Sequence, residues 1–247
     1  TTSSSPDHGH GHGLTRITLT VFLPFAGGYF LSYFYRSVNA IIAPQLISDI
    51  GLDAGDLGLL TSAYFFTFAA FQVPLGVLLD RFGPRRVQAV LLLSAAGGAF
   101  VFSVGETRSM LVIGRALIGL GVAGGLMASL KAITLWYPQQ RWPLVNGCFM
   151  AMGGLGAMAA TAPMEMALTV TDWRGVFVVL AIATVAASAI IFMVVPERKG
   201  LDTPAAIGEQ IRGLGGIYTS GLFWKLAPLA MTTLAANMAI QSLWAGP

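Results

Sequence analysis

The chain has 247 residues, of which 55% are hydrophobic and only 10% charged, and its mean hydropathy is +0.72. Soluble domains carry about 25% charged residues, so this chain has too few polar residues to form the surface of a soluble domain. Its apolar residues must therefore face lipid. The net charge of +3 does not indicate a nucleic-acid partner, because the basic residues lie in loops between apolar segments.

The first 15 residues are polar, repetitive and without hydrophobic periodicity, which predicts a disordered tail over 1–15. His8, His10 and His12 are interpreted as part of this tail rather than as a metal site. A membrane-spanning helix needs about 20 predominantly apolar residues. The apolar runs that follow the tail are at 17–47, 57–79, 87–104, 110–137, 143–168, 175–195 and 222–245.

The positions of lysine and arginine predict the orientation of these spans. With a cytoplasmic N-terminus, the cytoplasmic side carries Arg16, Arg81, Arg85, Arg86, Arg141, Arg198, Lys199, Arg212 and Lys225. The outer side then carries only Arg108 and Arg174. This asymmetry predicts a multi-pass protein of the cell (inner) membrane whose N-terminus is cytoplasmic.

The connection after the sixth span is longer than the others and carries mixed charge. It predicts a cytoplasmic linker at 196–221 between a six-helix bundle at 16–195 and a further helix at 222–247. The middle of the linker, 203–214, has the pattern of a short interfacial helix. The predicted fold class is therefore all-α, a polytopic membrane protein.

The stretch GVLLDRFGPRRV, between the second and third spans, concentrates charge in a chain that has little of it. Its arginines favour a cytoplasmic loop, and Gly83 with Pro84 favours a turn. Neither feature explains Asp80, which stands at the C-terminus of a helix, where the helix dipole disfavours an anion. We therefore expect Asp80 to have a cationic or N–H partner.

This stretch resembles the loop motif of the major facilitator superfamily, and the matching positions are Gly76, Asp80, Arg81, Gly83, Arg85 and Arg86. RALIGLGVAGG in the fourth span is similar to the family's arginine–glycine pattern, with Arg115 and Gly119 in register. The segments 172–177 and 195–197 resemble the start and the end of the family's sixth helix. The resemblance implies two six-helix bundles with a substrate path between them. This chain would then hold the first bundle and one further helix, and the missing C-terminal bundle of the same protein is an expected partner.

In that family, the aspartate of the loop motif latches the two bundles together in the outward-open state. The resemblance implies that Asp80 is the latch anion and that Arg81 and Arg85 are its local partners. It also implies that a helix of the second bundle approaches closely at Gly76. We expect these four residues to form a conformational latch.

Ionisable residues inside a membrane span cost roughly 2.5–3.5 kcal/mol each on insertion scales, unless they face a cavity or a partner. The four in this chain are Arg36, Arg115, Lys131 and Glu165. Each is therefore a candidate functional residue.

Arg36 belongs to a polar and aromatic face of the first span, formed with Tyr29, Tyr33 and Asn39 at spacings of three and four. The run YFYRSVNAIIAPQL resembles the first helix of the family's organophosphate and anion:cation symporter branches, where the arginine binds an anionic group. A guanidinium suits a carboxylate or phosphate because it donates two parallel hydrogen bonds. These four residues are predicted to bind substrate; the alternative is an arginine that snorkels outward or pairs structurally.

Lys131 is a second candidate substrate contact, with snorkelling to the interface as the alternative. Arg115 lies about 160° around the same helix from Lys131, so the two cannot face one cavity. The resemblance assigns Arg115 a coupling or structural role. Glu165 is either a proton carrier in apolar surroundings or an interfacial acid with a structural partner, and Gln72 is expected to hydrogen-bond between helices.

These features predict a secondary active transporter that moves a small anionic solute by alternating access, coupled to protons or to a counter-anion. One alternative is a drug/proton antiporter, which is disfavoured because the fifth span lacks that signature's Gly-Pro pair. Another is a non-transporting sensor or assembly module derived from the same fold. No enzymatic activity and no cofactor are predicted; the expected partners are the solute and the lipid bilayer.

Overall fold

The computed structural model describes residues 15–197 and 219–243. These residues form helices joined by turns, with no strand among them, which confirms the predicted all-α fold. Residues 1–14 of the predicted tail lie outside the described residues. The same holds for residues 198–218 of the predicted linker, which include the candidate interfacial helix.

The α-helices of the described residues are α1 Leu23–Ile50, α2 Ala54–Ala70, α3 Gln72–Ser103, α4 Arg108–Val122, α5 Gly125–Trp136, α6 Trp142–Ala159, α7 Ala162–Leu168, α8 Trp173–Val194 and α9 Gly221–Leu243. A π-helical turn, Thr18–Phe22, leads into α1. In the described part of the chain, five helical segments are long and apolar enough to cross a membrane. The protein is therefore a multi-pass membrane protein, as predicted.

The chain reverses direction within α3, at Gly83. This glycine has φ 76° and ψ 162°, a conformation that residues with a side chain rarely adopt. Leu75 and Leu91 both lie beside Gly124: their Cδ1 atoms are 3.7 and 2.7 Å from where a Cβ on that glycine would be. A straight helix would separate the two leucines by about 24 Å. The predicted second and third spans are thus separate helices, joined by a tighter turn than the sequence indicates.

The fourth and fifth predicted spans are each interrupted. The break in the fourth span lies at Ala123, between α4 and α5. Ser32 Oγ and Gln72 Nε2 donate to the carbonyl oxygens of Val122 and Ala123, at 3.5 and 3.3 Å. Side chains of α1 and α3 thus bond carbonyls at the end of α4, which lack partners within the helix. The predicted bridging role of Gln72 is confirmed.

Glycines let α4 pack closely on its neighbours, as is common in membrane helices. A Cβ on Gly119 would overlap the backbone carbonyl of Tyr64 in α2, and a Cβ on Gly121 would overlap the backbone of Ala95 in α3. The absence of side chains at these positions allows the helix backbones to meet. Arg115, one turn before Gly119, is consequently enclosed between helices.

The outer face of α8 is apolar and exposed. Val179, Ile182 and Met193 are among its exposed large side chains. A continuous exposed apolar face of this kind is suited to contact with lipid tails rather than water. Exposed apolar side chains of this kind account for part of the high hydrophobic content of the sequence.

Candidate functional site

The aromatic face of α1 packs against α6. The Tyr29 ring stacks on the Phe149 ring, with 4.5 Å between their centroids. The Tyr29 hydroxyl donates to the Tyr33 hydroxyl at 3.3 Å. Tyr29 is buried by these contacts, whereas Tyr33 is only half-buried and lies beside Arg36.

The Arg36 guanidinium is surrounded by aromatic rings. Its central carbon, Cζ, lies 4.9 Å from the centroid of Tyr33, 5.2 Å from that of Phe68 and 6.0 Å from that of Phe65. Its Nε atom is buried without a hydrogen-bond partner. Among residues 15–197 and 219–243, no carboxylate oxygen lies within 4.0 Å of the guanidinium. A cation in these surroundings is suited to receive an anion.

Asn39 lies one turn further along α1 and faces α2. Its Nδ2 donates to Thr61 Oγ1 at 3.3 Å, while its buried Oδ1 has no partner within the described part of the chain. Arg36 and Asn39 therefore both lie at the contact between α1 and α2. The α1 residues predicted to bind substrate occupy one continuous side of the helix.

Lys131 contacts Asp80 instead of lying with Arg36. The distance between Lys131 Nζ and Asp80 Oδ1 is 2.5 Å, and both side chains are partly exposed. This pair supplies the cation that Asp80 was expected to have. It gives no support to Lys131 as a substrate contact.

Among the described residues, Asp80 forms no ion pair with Arg81 or Arg85, which were predicted to be its local partners. Arg81 lies over the Phe82 ring, 5.5 Å from its centroid, and Arg85 Nε donates to the Phe192 carbonyl at 2.8 Å. Adjacent residues on a helix do not face each other, so the Arg81 side chain points away from the Asp80 carboxylate. Arg85 follows the reversal at Gly83 and packs on α8.

The surface around Gly76 and Asp80 is open. Both residues are exposed, as is Val73 on the same side of the helix, and a Cβ added to Gly76 would meet no atom within 4 Å. The space for an approaching helix is therefore present at Gly76. Close by, Arg86 forms an ion pair with Glu197, which links the chain after the Gly83 turn to the end of α8. The latch role of this surface stays a prediction.

Arg115 is enclosed, with 1% of its surface exposed. Its Nη1 donates to the backbone carbonyl of Tyr35 at 3.0 Å, and its Cζ lies 5.0 Å from the centroid of the Tyr64 ring. Arg115 therefore connects α4 to the backbone of α1 and packs on α2. This position fits the structural role among the two that the sequence left open.

Two residues of the predicted fifth span lie in unexpected surroundings. Glu165 is exposed on the short helix α7, and its side chain has no ion pair or hydrogen bond with the described residues. The structural partner expected for it is not found there. Cys148 of α6 is exposed, although the residues around it in the sequence are apolar.

The aromatic neighbours of Arg36 on α2 were missed by the sequence reasoning. Phe65 and Phe68 lie in the run AYFFTFAAF, where every aromatic residue is equally compatible with lipid. Their spacing of three, which places them on one side of a helix, is the available signal. It could not show that this side faces Arg36.

The chain matches the family model of the Major Facilitator Superfamily over residues 25–245. The probable sulfoacetate transporter SauU of Cupriavidus necator is 30% identical over 153 residues, covering 62% of this chain and 35% of that protein. The uncharacterized transporter YybO of Bacillus subtilis is 26% identical over 223 residues, covering 90% and 51%. The probable hexose phosphate transport protein of Chlamydia trachomatis is 24% identical over 193 residues, covering 78% and 40%. The chain thus spans between 35% and 51% of the length of these relatives.

Proposed function

Because the chain belongs to the major facilitator superfamily, a family of membrane transporters, we propose that it is part of a secondary active transporter for a small anionic solute. The solute bears a carboxylate or a phosphate, and transport is coupled to protons or to a counter-anion. The six-helix bundle at 16–195 rocks against a C-terminal bundle of the same protein around a site near the middle of the membrane. The protein lies in the inner membrane with a cytoplasmic N-terminus.

The observation that carries this proposal is the environment of Arg36. Arg115 is bonded to a backbone carbonyl and Lys131 to the Asp80 carboxylate. Of the three cations predicted within the membrane, Arg36, Arg115 and Lys131, Arg36 is the one that meets neither a carboxylate nor a carbonyl oxygen of the described residues. Its positive charge is stabilised by ring faces, which leave it able to accept an anion.

The relatives support an anionic solute. Sulfoacetate and hexose phosphate, which appear in the names of two of them, are both anions. Those names concern those proteins, and neither compound is assigned to this chain. They support the class of solute that the guanidinium indicates.

Asp80 is the proposed latch anion. Lys131 holds its carboxylate at the open surface beside Gly76, where a helix of the second bundle can approach. Because the pair is partly exposed, Asp80 can exchange this partner for donors of that helix at a modest cost in free energy. The Asp80 carboxylate would thus alternate between Lys131 in its own bundle and a donor on a helix of the second bundle.

The proposal is tested by thermal stabilisation of the purified full-length protein with carboxylates, organophosphates, inorganic anions and neutral or cationic drugs. We expect one class of anion to raise the unfolding temperature of the wild type. The shift should vanish in Arg36→Ala and be reduced in Arg36→Lys, which keeps the charge but loses the paired donors.

Arg108→Ala serves as the matched control, because Arg108 is an exposed arginine that pairs with Asp56 away from Arg36. This variant should keep the full anion-dependent shift. If only neutral or cationic drugs stabilise the protein, and equally in Arg36→Ala, the anion proposal is wrong and the drug/proton antiporter is favoured. Loss of the shift in the control would show that the readout does not report on Arg36.

A further inference from the structure

We infer that Phe65 and Phe68 of α2 are positioning residues, which hold the Arg36 guanidinium so that its outer edge selects anions bearing two oxygens on one atom. The inference rests on the proposed function and specifies how the same site recognises its solute. It assigns a role to two residues outside the α1 face.

Rings from two helices surround the Arg36 guanidinium and restrict its movement. Phe68 and Phe65 approach from α2, and Tyr33 approaches from the preceding turn of α1. All three centroids lie at or within the distance of about 6 Å at which a cation and a ring face attract each other. An arginine side chain with rings from two helices around it loses the freedom to snorkel toward the membrane surface.

The same packing decides which donors a solute can reach. A guanidinium has five N–H donors, on Nε, Nη1 and Nη2. Nε is buried, whereas the two Nη atoms of Arg36 are neither buried without a partner nor hydrogen-bonded to the described residues, so they keep access to solvent. A solute therefore meets the Nη edge end-on.

An end-on edge offers two parallel N–H bonds to two acceptors. Carboxylates, sulfonates and phosphates have a pair of oxygens on one atom and can accept both bonds together. A halide or a thiocyanate carries the same charge but has no such pair of oxygens. The positioned edge therefore discriminates by the shape of the anion, in addition to its charge.

The chain provides an internal control for the aromatic residues. Phe66 directly follows Phe65 in α2, but its side chain is 74% exposed and makes no ring contact with Arg36. Changes at Phe66 alter the same chemistry in the same helix without touching the guanidinium. They separate the positioning effect from a general effect on α2.

The experiment is a fluorination series at Phe68 in the purified full-length protein. Mono-, di- and trifluorinated phenylalanine progressively weaken the negative potential of the ring face while nearly preserving its shape. We expect the affinity for acetate and methanesulfonate, measured by calorimetry, to fall in steps to about one tenth of the wild-type value. The affinity of the Phe68→Leu variant should fall as far. The affinity of the Phe68→Tyr variant should stay within about twofold of the wild-type value.

Selectivity provides a readout that a purely structural role would not change. The preference for acetate over chloride and thiocyanate should decline along the fluorination series, because a mobile guanidinium no longer presents two donors together. The same series at Phe66 should change neither affinity nor preference. Unfolding temperatures without anion should be similar across both fluorinated series.

The possible failures are distinguishable. If the wild type binds neither these anions nor the carboxylates and organophosphates of the stabilisation panel, or binds them equally well in Arg36→Ala, the proposed function fails and the inference fails with it. If anion binding requires Arg36 but neither affinity nor selectivity responds to fluorination at Phe68 or Phe65, the inference alone is overturned. An equal response at Phe66 would overturn it as well.

Discussion

Arg36 and Arg115 are the two arginines that the sequence predicts within the membrane, and their surroundings assign them different roles. Arg115 is enclosed between α1, α2 and α4, with a backbone carbonyl as its hydrogen-bond acceptor. Arg36 is half-buried among rings and keeps two nitrogens accessible. The comparison shows that a cation in a membrane span becomes a candidate binding site when its donors remain reachable, rather than simply because it is present.

The largest expected effect is on stability, at Arg115. Arg115→Ala leaves a cavity between three helices and removes the bond to the Tyr35 carbonyl, so we expect a loss of roughly 3–5 kcal/mol in the free energy of unfolding, as for other large-to-small changes in a core. Denaturant unfolding in detergent measures it. Arg115→Met, which fills most of the volume, should recover a large part of the loss.

Changes at Arg115 should affect stability but not the affinity for the anion. The Arg115→Met variant should still bind the anion that stabilises the wild type, because position 115 is enclosed between helices and is not accessible to a solute. If Arg115→Met abolished binding while remaining folded, the division of roles between the two arginines would be wrong.

Arg36→Ala should show the opposite pattern. Arg36→Ala removes the hydrogen bonds to the anion, each of which contributes about 1.5–3 kcal/mol, so anion affinity should fall by at least roughly 10- to 150-fold. Stability without anion should fall less than in Arg115→Ala, because only the ring contacts are lost and no ion pair or hydrogen bond within the described residues is broken. A marked drop in the unfolding temperature of the anion-free variant would contradict the comparison by giving Arg36 a structural role.

A smaller effect is expected for the Asp80–Lys131 pair. Both side chains are partly exposed, so a double-mutant cycle with Asp80→Asn and Lys131→Met should give a coupling free energy of about 0.5 kcal/mol, decreasing at high salt. Neither substitution should weaken anion binding. A strong loss of affinity in Lys131→Met would restore Lys131 as a substrate contact.

The smallest effect is expected at Glu165. Its side chain is exposed and has no partner among the described residues, so Glu165→Gln should change stability by less than about 0.5 kcal/mol. Uptake by the full-length protein in proteoliposomes should keep its dependence on pH. A flattened pH profile in this variant would favour the proton-carrier role.

Much of the fold follows from local patterns in the sequence. Long apolar runs predict the helices, and spacings of three and four place Tyr29, Tyr33, Arg36 and Asn39 on one side of α1. The conformation of Gly83 also agrees with the turn predicted there. These features depend on the chain's own periodicity and on the backbone preferences of single residues.

The features that were missed depend on contacts between distant segments. Lys131 meets Asp80 because α5 passes beside the first part of α3, and no local pattern specifies that neighbour. Phe65 and Phe68 look like lipid-facing residues until α1 is placed next to them. The interruption at Ala123 was missed because its carbonyl is bonded by Gln72, which is far away in the sequence.

The interruption between α4 and α5 has a mechanical consequence. The carbonyls at this point are bonded by the side chains of Ser32 and Gln72, so a change of angle there does not require breaking continuous backbone hydrogen bonds. Arg115 is fixed on one side of this joint and Lys131 lies on the other. The two halves of the fourth span, α4 and α5, can therefore change their relative angle at Ala123. A displacement of α5 near Asp80 can then be accommodated at this interruption without moving the helices that hold Arg36 in place.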